Sequence, residues 1–232
     1  MTAHNQTYTP PRLQHVSQDL TGIKLEPIVA LPALRPVGAE VLSMLSPQVH
    51  SERFFRDQSA AQSLMLLEAQ LAALKNTSVC NNLFINLPIT VITVQETFQR
   101  LLQLKSPPLN IEIVEPATFL SLPGTQRECV VRRLQHLTMI GHRLWLDDVD
   151  EALVRAFLCC RLPLSGVKID KIAFWRLRTT PALGELVALC SRLAANVLIE
   201  GIETDSDLAF ALQAGAGLGQ GYFWPSWTWP ED

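Results

Sequence analysis

Eight short apolar segments recur along the chain, at 24–30, 37–45, 82–87, 110–115, 143–148, 166–170, 196–200 and 218–223. Amphipathic stretches separate most of them, and this alternation of period two with period 3.6 is the strongest constraint on the fold. Leu64, Leu67, Leu71 and Leu74 repeat at helical spacing, as do Val130, Leu134 and Leu137. Thr125 with Glu128 reads as a capping box, and Gly141 as the stop of that helix. Thr180-Pro181 reads as the start of a helix holding Leu186, Leu189 and Leu193, and Asp205 and Gly215 bracket a shorter one. Eight strands interleaved with helices predict an α/β chain folded as a TIM-like (β/α)8 barrel, although an open doubly wound sheet leaves a similar trace. One connection breaks the rhythm. Only a few residues, including Pro32 and Pro36, join Ala30 to Val37, too few for a parallel crossover, so the first two strands are expected to pair antiparallel.

A length of 232 residues suits one such barrel, and 48% apolar residues can fill its core. Residues 1–22 form a polar, Pro-containing tail without the apolar run of a secretory signal, and 23–232 form the barrel domain. No run of about 18 apolar residues exists, so no membrane span is expected. With 19 basic and 22 acidic residues, the net charge of -3 offers no basic excess for DNA or RNA. The five cysteines, Cys80, Cys129, Cys159, Cys160 and Cys190, show no C-x-x-C pairing. Reduced thiols in a cytoplasmic protein are expected.

The informative residues are polar ones set inside these apolar strands. Glu40, Asn86, Glu112, Glu115, Asp147, Asp148, Lys168, Glu200, Glu203 and Gln220 fall mostly toward strand C-terminal ends. A charge in an apolar strand is costly unless it is paired or bound to metal. In barrel enzymes those ends converge on one catalytic mouth. Carboxylates with an amide make an all-oxygen ligand set, which suits magnesium or manganese. The histidines, His4, His15, His50, His136 and His142, lie elsewhere, so a His-rich zinc site is not expected. Any one position could instead serve a buried ion pair or a helix cap. The set together points to metal, because clustered carboxylates repel one another without a cation.

In this order the segments resemble the EAL domain family. Glu40-Val41-Leu42 is similar to its signature tripeptide, and Phe84-Ile85-Asn86-Leu87 to its asparagine strand. Glu112 to Glu115 resembles its E-x-x-E element, Asp147-Asp148 its paired aspartates and Val167-Lys168-Ile169-Asp170 its lysine strand. Glu200-Gly201-Ile202-Glu203-Thr204 and Gln220-Gly221-Tyr222 resemble its last motifs. The resemblance implies a barrel with its first strand antiparallel, and hydrolysis of cyclic di-GMP to linear pGpG by two-metal-assisted water attack. It implies that Glu40, Asn86, Glu112 and Asp147 hold one cation, that Asp147, Asp148 and Glu200 serve the second, and that Lys168 and Gln220 position the attacking water. Glu115 and Glu203 would support those ligands from behind.

Three departures from the family pattern stand out. Met44 occupies a position where active members often carry an arginine reaching a substrate phosphate, a loss worth roughly 1.5–3 kcal/mol of binding. The loop Val149-Asp150-Glu151-Ala152 lacks both glycines of the usual D-D-F-G-T-G. The stretch after Tyr222 is short and tryptophan-rich, and is expected to cover the core rather than form a partner patch. These departures support other readings: a weak or inactive EAL protein that binds a partner such as a transcription regulator of motility or adhesion, or a cyclic di-GMP receptor. The family pattern also allows a homodimer.

Overall fold

A computed structural model of the chain describes residues 12–75 and 82–229. Residues 1–11 of the expected tail, including His4, lie outside the described residues, as do Cys80 and Pro230. The strands are β1 (Leu20–Ala30), β2 (Arg35–Leu45), β3 (Leu83–Pro88), β4 (Asn110–Val114), β5 (Arg143–Val149), β6 (Gly166–Ile169), β7 (Asn196–Ile199), β8 (Leu218–Gly219) and β9 (Trp227–Trp229). The helices are α1 (Leu13–Val16), α2 (Ser51–Arg56), α3 (Ala60–Leu74), α4 (Ile89–Thr93), α5 (Gln95–Leu102), α6 (Ala117–Ser121), α7 (Gly124–Met139), α8 (Glu151–Phe157), α9 (Lys171–Leu177), α10 (Ala182–Cys190) and α11 (Asp205–Gln213).

Strands β2 to β8 pair in sequence order, all parallel, and β1 closes the cylinder by pairing antiparallel with both β8 and β2. The barrel and the antiparallel first hairpin are therefore as the alternation and the short connection predicted. The hairpin turn is tight: Ala33 N donates to Ala30 O, and Leu34 takes a φ of 49°. The outer faces of the strands and the inner faces of the helices form the main core, with Ile85, Ile111, Leu144, Leu146, Val167 and Ile199 all buried against it.

Several boundaries differ from the sequence reading, each for a local reason. β1 begins at Leu20, within the stretch set apart as tail. α7 opens at Gly124 with Pro123 before it, so Thr125 and Glu128 are helical and form no capping box. Pro181, not Thr180, is the residue preceding α10, and the Thr180 hydroxyl donates back to Leu177 O. The box that does form near the chain's end joins Thr204 to Asp207 at α11. Gly141, at φ 101°, ends the α7 turn as expected.

The eighth strand is only two residues long, and just after it Gly221, at φ 152°, crosses so close to Ile202 that a Cβ there would lie 2.2 Å from Ile202 O. Beyond it, β9 pairs with Ile23–Leu25 of β1. Phe223, Trp224 and Trp229 pack on the main core, so most of the aromatic stretch covers it, while Trp227 is exposed. Cys129, Cys159, Cys160 and Cys190 are free, and burial pushes the Cys190 thiol up to about 12. No helix among the described residues is long and apolar enough to cross a membrane.

Candidate active site at the barrel mouth

Side chains alternate along a strand, so every second residue of a barrel strand faces the interior. The lower interior layer is a plug of Ile28, Phe84, Trp145 and Leu198, with Val37 and Leu218 against it. Gly38 and Gly166 complete it by leaving room: a Cβ at Gly166 would sit 2.2 Å from the Trp145 ring. Two residues further toward the mouth, each of these strands changes chemistry. Phe84 is followed by Asn86, Asn110 by Glu112, Trp145 by Asp147, Gly166 by Lys168, Leu198 by Glu200 and Leu218 by Gln220.

Lys168 sits at the centre of that upper layer, almost fully buried. Its Nζ lies 2.7 Å from Glu200, 3.0 Å from Asp147, 3.1 Å from Glu112 and 3.2 Å from Glu40. Asn86 Nδ2 donates to Glu40 Oε1 at 2.8 Å, and Gln220 Nε2 donates to Glu40 Oε2 at 2.6 Å. The structure thus brings Glu40, Asn86, Glu112, Asp147, Lys168, Glu200 and Gln220 into one layer. Carboxyl oxygens of Asp147, Asp148 and Glu200 lie within 4.8 Å of one another.

Adjacent residues of a regular strand face opposite ways, yet Asp147 and Asp148 share the mouth. A bulge explains it. Between Leu146↔Val167 and Val149↔Ile169, β5 spends one residue more than β6. Asp148 absorbs the extra residue at φ 49°, a region aspartate tolerates better than most. The replaced glycines cost the loop no strain of this kind. Asp150 keeps a negative φ and caps α8 by accepting from Leu153 N at 2.8 Å, while Glu151 pairs with Arg176.

Burial and charge set the protonation pattern. Burial pushes Glu112 and Glu200 well above the ordinary carboxylate range, repulsion from neighbouring acids adds to it, and the attraction of Lys168 opposes it. Burial likewise raises Asp148, and lifts Asp147 to about 6 against the opposing pull of Lys168. Glu40 goes the other way. Burial alone would raise it, but the Lys168 ammonium and the bonds from Gln220 and Asn86 together hold it below its usual value. For Lys168, burial opposes the charge, and the surrounding carboxylates overcome it and hold its pKa well above normal.

One ammonium faces four carboxylates, so the layer is short of positive charge. Asn86 Oδ1, Glu112 Oε2 and Gln220 Oε1 are buried acceptors without a hydrogen-bond donor. A carboxylate only accepts, so the Asn86 amide must turn its NH2 to Glu40 and leave its oxygen facing elsewhere. Each stranded acceptor costs about 1–3 kcal/mol, which an oxygen-seeking divalent cation would recover. The donor set therefore fits a hard divalent cation.

A cavity of about 710 Å³ opens above the layer. Glu115 and Glu203 reach its wall but are exposed, and among the described residues neither side chain hydrogen-bonds to the acids below. Met44 does not line it, although Leu42 and Ser43 do. The sequence reading missed Glu26, which faces Glu40 across the hairpin and accepts from Gln220 Nε2 at 3.2 Å while pairing with Lys24. It also missed α2, whose Glu52, Phe55 and Arg56 line the cavity.

A model of the EAL domain matches residues 13–225. The chain belongs to the EAL domain family. Among curated proteins, this EAL domain is 28% identical over 122 residues to the cyclic di-GMP phosphodiesterase RocR of Pseudomonas aeruginosa. That match takes in 50% of this chain and 30% of RocR, so the alignment spans under a third of the relative's length. Among solved structures, an EAL domain protein of Listeria monocytogenes superposes with a TM-score of 0.68 at 21% identity, covering 92% of this chain and 91% of that one. BlrP1 of Klebsiella pneumoniae, solved with calcium and cyclic di-GMP, superposes at 0.70 with 19% identity over 95% of this chain and 61% of its own. At such identities these likenesses establish the EAL barrel fold.

Proposed function

We propose that this EAL domain hydrolyses one phosphodiester of cyclic di-GMP, giving linear pGpG. The observation that carries the reading is the acid layer itself, a buried set of carboxylates with stranded amide and carboxylate oxygens at one barrel mouth. Family membership, the phosphodiesterase RocR and the cyclic di-GMP complex of BlrP1 support the same substrate.

Glu40, Asn86, Glu112 and Asp147 would hold one cation, and Asp147, Asp148 and Glu200 the other. A bound pair of magnesium or manganese ions supplies an acidified water and neutralises charge on the phosphoryl oxygens. The residues divide the remaining work. Lys168 keeps its proton at neutral pH, so it serves as a fixed positive charge beside the reacting phosphate and not as a base. Gln220 has its NH2 committed to Glu40 and Glu26, which leaves Oε1 as the acceptor that orients the attacking water. Glu200, whose carboxyl oxygen lies close to those of Asp147 and Asp148, would serve there as a ligand directly or through a bound water. The water oxygen bonds to phosphorus and gives up a proton to solvent, while the bond to the ribose 3′ oxygen breaks and that oxygen takes up a proton, leaving a 3′ hydroxyl and a new 5′ phosphate end.

Incubating the protein with cyclic di-GMP and manganese or magnesium is expected to release pGpG, resolved by chromatography. No product with either metal at high protein concentration contradicts hydrolysis. Binding without product, measured by calorimetry, would replace it with a receptor role.

A further inference from the structure

The cavity above the acid layer is an adverse place for an anion. Glu26, Glu40, Glu52, Glu115, Asp148 and Glu203 are among the acids on its wall, and its lining cations are Arg56 and Lys171. A cyclic dinucleotide carries two phosphodiesters. The metal layer can neutralise the one being cleaved, but the second must sit further out, against these carboxylates, unless a cation meets it.

The two cations occupy different sides of the mouth. α9 follows β6, whereas α2 follows β2, half a turn away around eight strands. Lys171 opens α9 beside the metal layer, with its Cβ 2.6 Å from the point where a Cβ on Gly201 would stand. Arg56 ends α2, which contributes no member of the acid layer. Its neighbour Arg53 is engaged with Asp57 at 3.4 Å, while Arg56 has no acid partner among the described residues.

Next to it, Phe55 lines the same cavity and is 40% exposed, an apolar ring with no core to fill. Its orientation is braced by Phe54, edge-on at 5.1 Å between ring centres. An unpaired guanidinium beside an open aromatic face matches a phosphate beside a purine base. The planar fork takes phosphate oxygens in pairs, and the ring stacks on a base whatever its edge.

We infer that α2 holds the half of the substrate lying away from the metal layer, with Arg56 on the uncleaved phosphodiester and Phe55 stacked on a guanine. The inference rests on the phosphodiesterase reading above. Both side chains are exposed, and neither belongs to the acid layer.

The test compares two substrates. Binding of cyclic di-GMP in calcium is measured by calorimetry for the wild type, Arg56→Ala, Arg56→Lys, Phe55→Ala and Lys171→Ala. Hydrolysis of bis(p-nitrophenyl) phosphate, which has one phosphodiester and no purine, is measured in manganese for the same proteins. Arg56→Ala is expected to weaken cyclic di-GMP binding on the order of 10-fold or more, Phe55→Ala on the order of 5-fold or more, with partial recovery in Arg56→Lys. The rate on bis(p-nitrophenyl) phosphate should stay at the wild-type value for the Arg56 and Phe55 variants. Unchanged dinucleotide binding in Arg56→Ala overturns the inference, as does a loss carried by Lys171→Ala alone, or a parallel loss on both substrates. If the wild type cleaves the small diester but does not bind cyclic di-GMP, the metal centre stands and this inference falls. If it does neither, the phosphodiesterase reading fails first and takes the inference with it.

Discussion

The floor and the mouth of this barrel are built by the same strands, two residues apart, under opposite rules. On the floor the polar atoms are matched. Trp145 Nε1 donates to Asn110 Oδ1, Asn110 Nδ2 to Asn82 Oδ1, and Asn82 Nδ2 to Val37 O, all around an apolar plug. At the mouth, buried oxygens are left without donors and four carboxylates crowd one ammonium. The floor satisfies itself, which is how a core stabilises. The mouth leaves oxygens unmatched, and these are the atoms that the proposed cations would take up. On the proposed function, stability and chemistry lie in separate layers of one cylinder.

The sharpest way to break that comparison is to damage each layer and compare signs. Trp145→Ala removes the largest floor side chain and strands Asn110 Oδ1, so unfolding stability should fall by roughly 3–5 kcal/mol in urea titrations. A loss below about 1 kcal/mol would mean the floor does not carry the fold. Glu112→Gln acts at the mouth and should do the reverse. It removes a buried carboxylate whose charge is strongly disfavoured, while Glu40, Asp147 and Glu200 still pair with Lys168. The metal-free protein should gain about 1–2 kcal/mol and lose its response to manganese. A destabilised metal-free variant would count against the incomplete-mouth account.

The smallest effect concerns His142, at the floor end. Its Nδ1 accepts from Leu109 N at 3.1 Å, so that bond requires an unprotonated nitrogen, and burial lowers its pKa below the ordinary 6.5. The unfolded chain therefore binds a proton first as pH falls, and stability is lost below 6.5 down through the lower folded value. The contribution is intact above that window. Denaturation midpoints at pH 7.5 and 5.5 should differ by a little more in the wild type than in His142→Gln, and equal differences would remove His142 from the floor's account.

What the sequence revealed follows the same division. Glu40, Glu112, Asp147 and Lys168 were legible because a charge inside an apolar strand has few structural uses, and in a parallel barrel each points to the same end. Glu26 was not, because β1 runs the other way, so its mouth residue precedes its floor residue Ile28 in sequence. The floor was hidden for a different reason. Phe84, Trp145 and Leu198 look like any other strand residues, and only closure of the cylinder separates inner from outer faces. Phe55 and Arg56 gave no local signal, since a surface helix becomes a cavity wall only through tertiary placement. Thr125 and Glu128 matched a cap pattern, but Pro123 fixed the helix start upstream.

Calorimetric titration of manganese into the metal-free protein at pH 7.5, with Glu112→Gln alongside, addresses the mouth directly. The account predicts saturable binding by the wild type that disappears or weakens at least about 10-fold in the variant, as loss of a ligand requires. A wild type that takes up no manganese, or a variant that binds it equally well, would contradict it.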